Sequence, residues 1–232
     1  MGDSPRSRRE RPAKPALSRQ GIIDATNEIM RSEGLEKATM RRVAQALDTG
    51  PASLYVYVSN TTELHAAVLD ELIGSFHSDG DGDWVARLDA LLAGYSEVLF
   101  TYPGLARSAL VLRPTGPNSI ALFDRVLGLL LEGGIAPDRA AWGVDLLLQF
   151  VTATAAEHSA PAPSDAVARG QQGDPERFET AVRDAATTGT PHLRAHMDAV
   201  LGGTPAQRFM WATRALVAGI TATPIPAEPA NR

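Results

Sequence analysis

The sequence predicts an all-α fold, because three features recur along its 232 residues. Apolar side chains return every three or four positions, which places them on one face of an α-helix. Glycine, proline and small polar residues separate these periodic segments and act as helix start and stop signals. No segment has the sustained alternation of apolar and polar residues that is typical of a half-buried strand.

The first part of the chain predicts a disordered basic arm followed by two helices. Residues 1–16 are rich in Arg, Pro and Ser and contain almost no large apolar residue, as in disordered segments. A first helix is expected over about residues 17–32, where one face carries Ile22, Thr26, Ile29 and Met30. Gly34 is expected to end it. A second helix follows over about residues 40–47, with Thr39 as its N-cap.

A break of three residues, 48–50, separates the second helix from a short third helix that begins at Pro51. Proline suits this first helical position because its missing N–H would have no partner there. Two short helices joined by a tight turn that contains glycine form a helix-turn-helix motif, whose second helix enters the major groove of DNA. We therefore expect a three-helix helix-turn-helix domain over residues 17–62.

A fourth helix, opened by Ser59 or Asn60 as its cap, is expected to join this domain to a larger helical domain over residues 63–222. The polar run HSDGDGD interrupts its apolar pattern. Turn signals divide the rest into helices expected at about residues 84–101, 104–112, 118–132, 138–158, 175–186, 191–201 and 204–222. Residues 223–232 are expected to form a disordered tail.

Composition excludes several classes of function. The absence of cysteine excludes a disulfide framework and a cysteine-ligated zinc site. No apolar run approaches the roughly 18 residues of a membrane span, and the charged N-terminus has no hydrophobic stretch behind it. We expect a cytoplasmic protein without a membrane partner.

Charge is distributed unevenly around a net value of −5. Residues 1–62 carry 10 Lys and Arg against 7 Asp and Glu, whereas the remaining 170 residues carry 12 against 20. A basic end on an acidic body indicates that one end of the molecule meets a polyanion such as DNA. A solvated disordered tail is the alternative explanation for the basic arm.

The segment of residues 22–69 resembles the DNA-binding domain of the tetracycline-repressor (TetR) family of one-component regulators. The matching stretches are ATMRRVAQAL, PASLYVYV and the N-x-x-E-L that opens the fourth helix. A weaker resemblance continues through Trp84, the Arg-Pro-Thr of residues 113–115 and the Thr-Pro-x-Leu-Arg of residues 190–194. In total it covers about residues 17–222.

The resemblance implies that the second and third helices carry the DNA contacts. Arg41 matches an arginine that reads bases, and its guanidinium offers a bidentate fork to guanine. The full implied set is Thr39, Arg41, Gly50, Pro51, Ala52, Ser53, Tyr55, Val56, Tyr57 and Thr61. We expect at least one of the two tyrosines to contact the DNA backbone while the other partly packs. Two positions depart from the family: Asp48 replaces the usual turn glycine, and Thr61 replaces a phosphate-binding lysine.

The resemblance also implies that the larger domain is dimeric and holds a small-molecule pocket. Helices 138–158 and 204–222 have wide apolar faces, which favours a four-helix interface between two copies. The residues expected there are Trp142, Leu146, Phe150, Phe209, Leu216 and Ile220. The alternative is that both helices belong to the core of a monomer.

For the pocket, the expected ligand-binding residues are His77, Tyr95, Leu112, Phe123, Phe150 and Glu157. For His77, a linker position is as good an explanation as a ligand contact. Ala109 stands where the tetracycline repressors have a metal-ligating histidine, and Leu91 where they have a drug-contacting asparagine. Hydrocarbon offers a magnesium chelate no anchor, so we expect a more apolar effector and neither a metal nor a cofactor.

The function predicted from these observations is that of a ligand-responsive repressor. It would bind a palindromic double-stranded DNA operator as a homodimer and leave it when a small, fairly apolar effector binds. A dimeric regulator without a small-molecule effector, with a vestigial pocket or a protein partner, is the alternative. An all-helical enzyme is more remote, because the five histidines are scattered and the sequence contains neither a phosphate loop nor a nucleophile elbow.

Overall fold

The all-α prediction is confirmed by a computed structural model of the protein. The structure describes residues 16–76, 80–111, 113–157, 175–187 and 189–226. Within these ranges the chain forms eleven α-helices and no strand. The predicted basic arm, apart from Ala16, and residues 227–232 of the predicted tail lie outside the described residues.

The chain divides into two compact units, one up to Val68 and one from Leu69 onward. The first unit contains three helices and the start of a fourth: α1 (Arg19–Glu33), α2 (Met40–Ala46), α3 (Pro51–Leu54) and α4 (Thr61–Ser75). A 3-10 turn, Leu35–Lys37, connects α1 and α2. The division falls within α4, six residues beyond the expected boundary at residue 62.

Local sequence signals explain the helix ends of the first unit. Ser18 caps α1 through its hydroxyl oxygen, which accepts a hydrogen bond from the Gly21 N–H at 3.1 Å. The helix ends at Gly34, whose φ of 93° is open to glycine at little cost. Thr39 caps α2 in the same way as Ser18 caps α1. The core of this unit is closed by fully buried side chains of several helices, among them Ile22, Val43, Leu54 and Leu64.

The second unit contains the end of α4 and seven further helices. These are α5 (Trp84–Thr101), α6 (Pro103–Val111), α7 (Pro117–Glu132), α8 (Pro137–Glu157), α9 (Pro175–Thr187), α10 (Pro191–Leu201) and α11 (Pro205–Ala222). Their ends agree with the predicted ones to within about two residues, because capping residues such as Asp83 and Thr204 and prolines at first helical positions mark them.

Helix α8 lies at the centre of the second unit, where it packs against α5, α6, α7 and α11. Its side chains Val144, Leu147 and Val151 are fully buried. Burial of such a side chain contributes roughly 1.5–3 kcal/mol, so these three side chains stabilise the unit by several kcal/mol. Helices α9 and α10 pack against each other. No helix in the described part of the chain combines the length and the apolarity that a bilayer crossing requires.

Candidate DNA-binding surface and ligand cavity

The turn between α2 and α3 has the tight geometry that the helix-turn-helix prediction requires. The N–H groups of Leu47 and Asp48 close the end of α2 by donating to the carbonyls of Val43 and Gln45. Asp48 has a φ of 49° and is the sole non-glycine residue with positive φ in the described ranges. This is the left-handed region, which glycine adopts most easily and which aspartate tolerates better than most residues do. The chain then reaches α3 through Gly50 and Pro51.

The segment from α3 to Val58 is anchored by two apolar side chains and exposes the opposite face. Leu54 and Val58, four residues apart, are fully buried. Tyr55 and Val56 point away from the core, with 54% and 81% of their surface exposed. Because Gly50, Pro51 and Ala52 are also exposed and small, this end of the unit presents a surface that another molecule can approach closely.

The two predicted DNA-contacting tyrosines lie in different environments. Tyr57 is half-buried, and its hydroxyl donates a hydrogen bond of 2.8 Å to the carbonyl oxygen of Leu17, just before α1. Tyr55 remains exposed. The Tyr57 hydroxyl proton is therefore engaged within the unit, and Tyr55 is the better placed of the two to donate to a phosphate.

Two neighbouring arginines of α2 also differ. Arg42 forms a bidentate ion pair with Glu33, with distances of 2.5 Å from Nη2 to Oε1 and 3.1 Å from Nε to Oε2. This contact lowers the pKa of Glu33 and raises the pKa of Arg42. Arg41 is exposed and forms no ion pair with any residue that the structure describes. Arg41 is therefore the arginine whose guanidinium is free to bind an external anion or base edge.

The free arginine borders the same depression as the start of α3. This open depression of the first unit is lined by Arg41, Gln45, Asp48, Thr49, Gly50 and Pro51. Three of the predicted DNA-contacting residues thus lie together, while Asp48 adds a negative charge beside them.

The first turn of α4 carries the uncharged Thr61 and the acidic Glu63, so it offers a phosphate little attraction. Asn60 accepts a hydrogen bond from the Glu63 N–H at 2.8 Å, and the Glu63 carboxylate accepts one from the Ser59 N–H at 2.7 Å. Hydrogen bonds from Ser59 hold the pKa of Glu63 below its usual range. Thr61 is half-buried and uncharged at this point, so its predicted DNA contact stays a prediction.

His65 of α4 connects this helix to the segment that leads into α2. Its Nε2 lies 3.4 Å from the carbonyl oxygen of Ala38, directly before the Thr39 cap. Burial lowers the pKa of His65, and the hydrogen bond to Ala38 raises it by a smaller amount. The lowered pKa favours the neutral imidazole at this position next to the helix-turn-helix.

The second unit contains a cavity of about 150 Å³ between α4, α5, α6, α7 and α8. It is lined by Ile73, Tyr95, Ala109, Leu110, Arg113, Pro114, Ser119, Ile120, Leu122, Phe123, Asp145, Leu148, Gln149 and Thr152. A dry cavity of this size holds a ring like benzene. Most drug-sized ligands need about 300–1,000 Å³, so a larger ligand must widen it.

Polar groups occupy two places in this mostly apolar cavity. The hydroxyl groups of Tyr95 and Thr152 lie 2.9 Å apart and share a buried hydrogen bond, and burial raises the pKa of Tyr95. Arg113 and Asp145 form an ion pair of 2.6 Å, in which Arg113 is largely exposed. A ligand would therefore meet neutral hydroxyl groups at one place and a paired, hydrated charge at the other.

The predicted ligand-binding residues are only partly brought together. Tyr95 and Phe123 line the cavity. Phe150 does not: its ring stacks on Phe209 with centroids 6.0 Å apart. Glu157 is exposed at the end of α8 and is not among the lining residues. His77 and Leu112 lie outside the described residues.

The sequence interpretation missed several polar residues of the cavity, and a signal for them existed. Asp145, Gln149 and Thr152 are spaced four and three residues apart along α8, so they share one face of an otherwise apolar helix. A polar stripe of this kind in a central helix is what a binding cavity requires. In the described part of the chain, no three His, Asp or Glu residues approach closely enough to hold a metal ion.

The predicted dimer face is an exposed apolar surface of α8 and α11. Trp142 and Leu146 are 60% and 44% exposed, and with Leu216 and Ile220 they line an open depression. Met210 and Trp211 of α11, which the prediction did not include, are also exposed. Phe150 and Phe209 pack against each other within the unit.

Two family models match the chain: bacterial regulatory proteins of the tetR family over residues 22–68, and the tetracyclin repressor-like C-terminal domain over residues 77–223. The HTH-type transcriptional repressor DrrR1 of Streptomyces coeruleorubidus is 30% identical over 151 residues, 64% of this chain and 56% of that repressor. The match thus spans little more than half of that relative. The tetracycline repressor protein class C of Escherichia coli is 24% identical over 208 residues, 88% of this chain and 90% of the relative.

Solved structures agree with these matches. The crystal structure of SCO7704 from Streptomyces coelicolor has 49% identity and a TM-score of 0.79, covering 93% of this chain and 100% of that one. ActR from the same organism, in complex with actinorhodin, has 30% identity and a TM-score of 0.72, covering 89% and 97%. Since one family model alone matches residues 77–223, more than half of the sequence, the chain belongs to the TetR family of bacterial regulatory proteins.

Proposed function

We propose that this protein is a homodimeric transcriptional repressor that binds a palindromic DNA operator in the cytoplasm and is released by a small molecule. The guanidinium of Arg41, which has no ion-pair partner among the described residues, lies beside the small, exposed start of α3 and carries the DNA-binding part of the proposal. It is supported by the relatives DrrR1 and the tetracycline repressors of classes C and G, whose names describe them as repressors.

The dimer is supported by the apolar face of α8 and α11. A helix-turn-helix unit reads one half-site, so a palindromic operator requires two copies of the chain. The exposed indole rings of Trp142 and Trp211 would be buried when two copies pair. Buried aromatic anchors of this type dominate the energy of protein interfaces.

The effector class follows from the cavity of the second unit. Its walls are mainly aliphatic and aromatic, and the Tyr95–Thr152 hydroxyl pair with the Gln149 amide offers hydrogen bonds. We infer an effector with an apolar ring system and at least one hydrogen-bonding oxygen or nitrogen, bound without a metal. The ligand complexes of ActR, with actinorhodin and with (S)-DNPA, support a ligand-responsive role.

The small cavity volume favours one alternative. At about 150 Å³ it is smaller than most ligand pockets, as expected for a regulator whose pocket is vestigial or which responds to a protein partner. Widening of the cavity by a bound small molecule would separate the two possibilities.

The DNA-binding proposal is tested by selecting binding sites from random double-stranded DNA with the full-length protein. Affinity for the selected site is then measured at fixed salt for the wild type, Arg41→Ala and the matched variant Arg42→Ala. We expect Arg41→Ala to weaken binding by about 1–3 kcal/mol and to relax selectivity at one base pair. Arg42→Ala should bind with near wild-type affinity, because Arg42 is engaged by Glu33. Failure of the wild type to enrich any palindromic sequence would refute the function.

A further inference from the structure

Helix α7 begins without a cap of its own. Its N-cap residue is Gly116, which has no side chain, and its first residue is Pro117, which has no N–H. The next two N–H groups, of Asn118 and Ser119, have no partner inside the helix at these positions. Both donate instead to the carboxylate of Asp70, which belongs to α4.

Asp70 accepts four hydrogen bonds from these two residues. Its Oδ1 accepts from the Ser119 N–H at 2.7 Å and from the Ser119 hydroxyl at 2.6 Å. Its Oδ2 accepts from the N–H and the side-chain amide of Asn118 at 3.4 and 3.3 Å. Asp70 is only 7% exposed, so water contributes little to its solvation. Hydrogen bonds to an ionised acceptor at a helix N-terminus are among the strongest in proteins.

Two glycines bring α4 and α7 into direct contact around this carboxylate. A Cβ on Gly116 would lie 2.1 Å from Cγ of Asp70, and a Cβ on Gly74 would lie 2.6 Å from the side chain of Asn118. Neither position has room for a side chain, so the backbone of each helix lies directly against a side chain of the other. A displacement of the start of α7 must therefore move Asp70 or break its hydrogen bonds.

The same contact forms part of the cavity wall. Ser119, which makes the two shortest hydrogen bonds to Asp70, lines the cavity together with its neighbour Ile120. Ile73, three residues after Asp70 on the same side of α4, lines it as well. An occupant of the cavity thus touches α4 and α7 on either side of the carboxylate.

We propose that Asp70 is the positioning residue that transmits occupancy of the cavity to α4, through its cap on α7. This inference rests on the proposed function and concerns the regulation of the same site. Helix α4 is also the helix in which the chain passes from the first compact unit to the second. Filling the cavity would displace Ser119. Because Ser119 is hydrogen-bonded to Asp70, the displacement would be carried to α4.

The test uses a substitution as the occupant, because the effector is unidentified. Ala109 lines the cavity from α6 and is buried, so Ala109→Leu places a larger side chain inside it. Amide hydrogen exchange of residues 69–75 and 118–122 is measured in the full-length wild type, Ala109→Leu, Asp70→Asn and the double variant. Asp124→Asn, which changes an exposed carboxylate on α7, is the matched control.

We expect Ala109→Leu to change exchange of residues 69–75 by about fivefold or more, the range of ordinary allosteric coupling. The change should persist with Asp124→Asn and fall below about twofold with Asp70→Asn, since the coupling would be lost. If Asp70 only stabilised the fold, Asp70→Asn would lower the melting temperature and leave the response to Ala109→Leu intact. That result would overturn the proposal.

Should Asp70→Asn fail to fold, as judged by circular dichroism, Ser119→Ala takes its place. It removes one of the four donors and keeps the backbone hydrogen bonds, so the response of residues 69–75 should be reduced; a full response would refute the proposal. The exchange experiment needs no DNA. If the wild type selects no operator, the proposed function is refuted. If Ala109→Leu changes the exchange of residues 69–75 equally with and without Asp70→Asn, the role of Asp70 is refuted.

Discussion

At the scale of single residues, two pairs of neighbouring residues have the same side chain but different environments: one member is hydrogen-bonded and the other is exposed. Tyr57 holds the carbonyl of Leu17, whereas Tyr55 is open to solvent. Arg42 is paired with Glu33, whereas Arg41 is exposed. In each pair one side chain is engaged inside the helix-turn-helix unit, and the other is the exposed one that we propose as the DNA contact.

His65 makes the stability of the first unit depend on pH. Its pKa is lowered in the folded state, mainly by burial, while the unfolded chain has a pKa of about 6.5. As the pH falls below about 6.5 the unfolded state takes up a proton that the folded state resists, so stability decreases towards the folded-state pKa. Above this range both states are neutral and the effect vanishes. Urea unfolding at pH 7.5 and about pH 5.5 measures the difference.

The variant His65→Gln separates this effect from other titrating groups. Glutamine keeps a donor near the Ala38 carbonyl but carries no titratable proton in this range. We expect it to lose less stability than the wild type between the two pH values, whereas His192→Gln, at an exposed position of α10, should behave like the wild type. An equal pH response of the wild type and His65→Gln would contradict the role of His65.

At the scale of the elements, α8 has three functions on three faces. One face packs in the core through Val144, Leu147 and Val151. A second presents its polar residues to the cavity. A third exposes Trp142 and Leu146 beside α11. A ligand that moves α8 would therefore change the packing of the core and the position of Trp142 and Leu146 on the proposed dimer face.

The packing of α8 against α11 depends on Gly143. A Cβ at this position would lie 2.8 Å from Cγ2 of Ile220, a buried, β-branched side chain with little freedom to move. We expect Gly143→Ala to destabilise the fold by about 1–3 kcal/mol, as overpacking does. Urea unfolding with an unchanged m-value is the measurement.

Gly128 provides the matched control on an exposed face of α7. A Cβ there would meet nothing within 4 Å. Gly128→Ala should therefore stabilise the protein by about 0.5–1 kcal/mol, because alanine loses less conformational freedom in a helix than glycine. Equal effects of the two substitutions would show that α8 and α11 do not meet as closely as described.

At the scale of the whole molecule, the proposed dimer can be tested by one charge. In a two-fold interface a substitution occurs twice, so Trp142→Glu places two carboxylates on facing apolar surfaces. We expect the dimer dissociation constant to rise by about a hundredfold or more, in line with the loss of a buried tryptophan anchor. Sedimentation equilibrium at micromolar concentration measures it.

Phe100→Glu is the control for a general effect of surface charge. Phe100 is an exposed aromatic residue of α5, outside the face formed by α8 and α11, and its replacement should leave the dimer intact. A wild type that sediments as a monomer, or two variants that dissociate equally, would exclude the proposed face.

The sequence by itself determined the helices, their order and the helix-turn-helix. These features depend on signals within a few residues of each other, such as the Thr39 cap, Pro51 at the start of α3 and the apolar period of each helix. The same local pattern carried the resemblance to the TetR family, which the comparisons confirmed.

Only the tertiary structure decided which of these residues are free and which are engaged. Tyr57 meets Leu17 across 40 residues, Asp70 meets Ser119 across 49, and Tyr95 meets Thr152 across 57. Local propensity contains no information about such contacts, because they arise when separate helices pack and leave some polar groups with partners and others without. The cavity, the cap of α7 and the exposure of Arg41 are therefore properties of the packed chain rather than of any one segment.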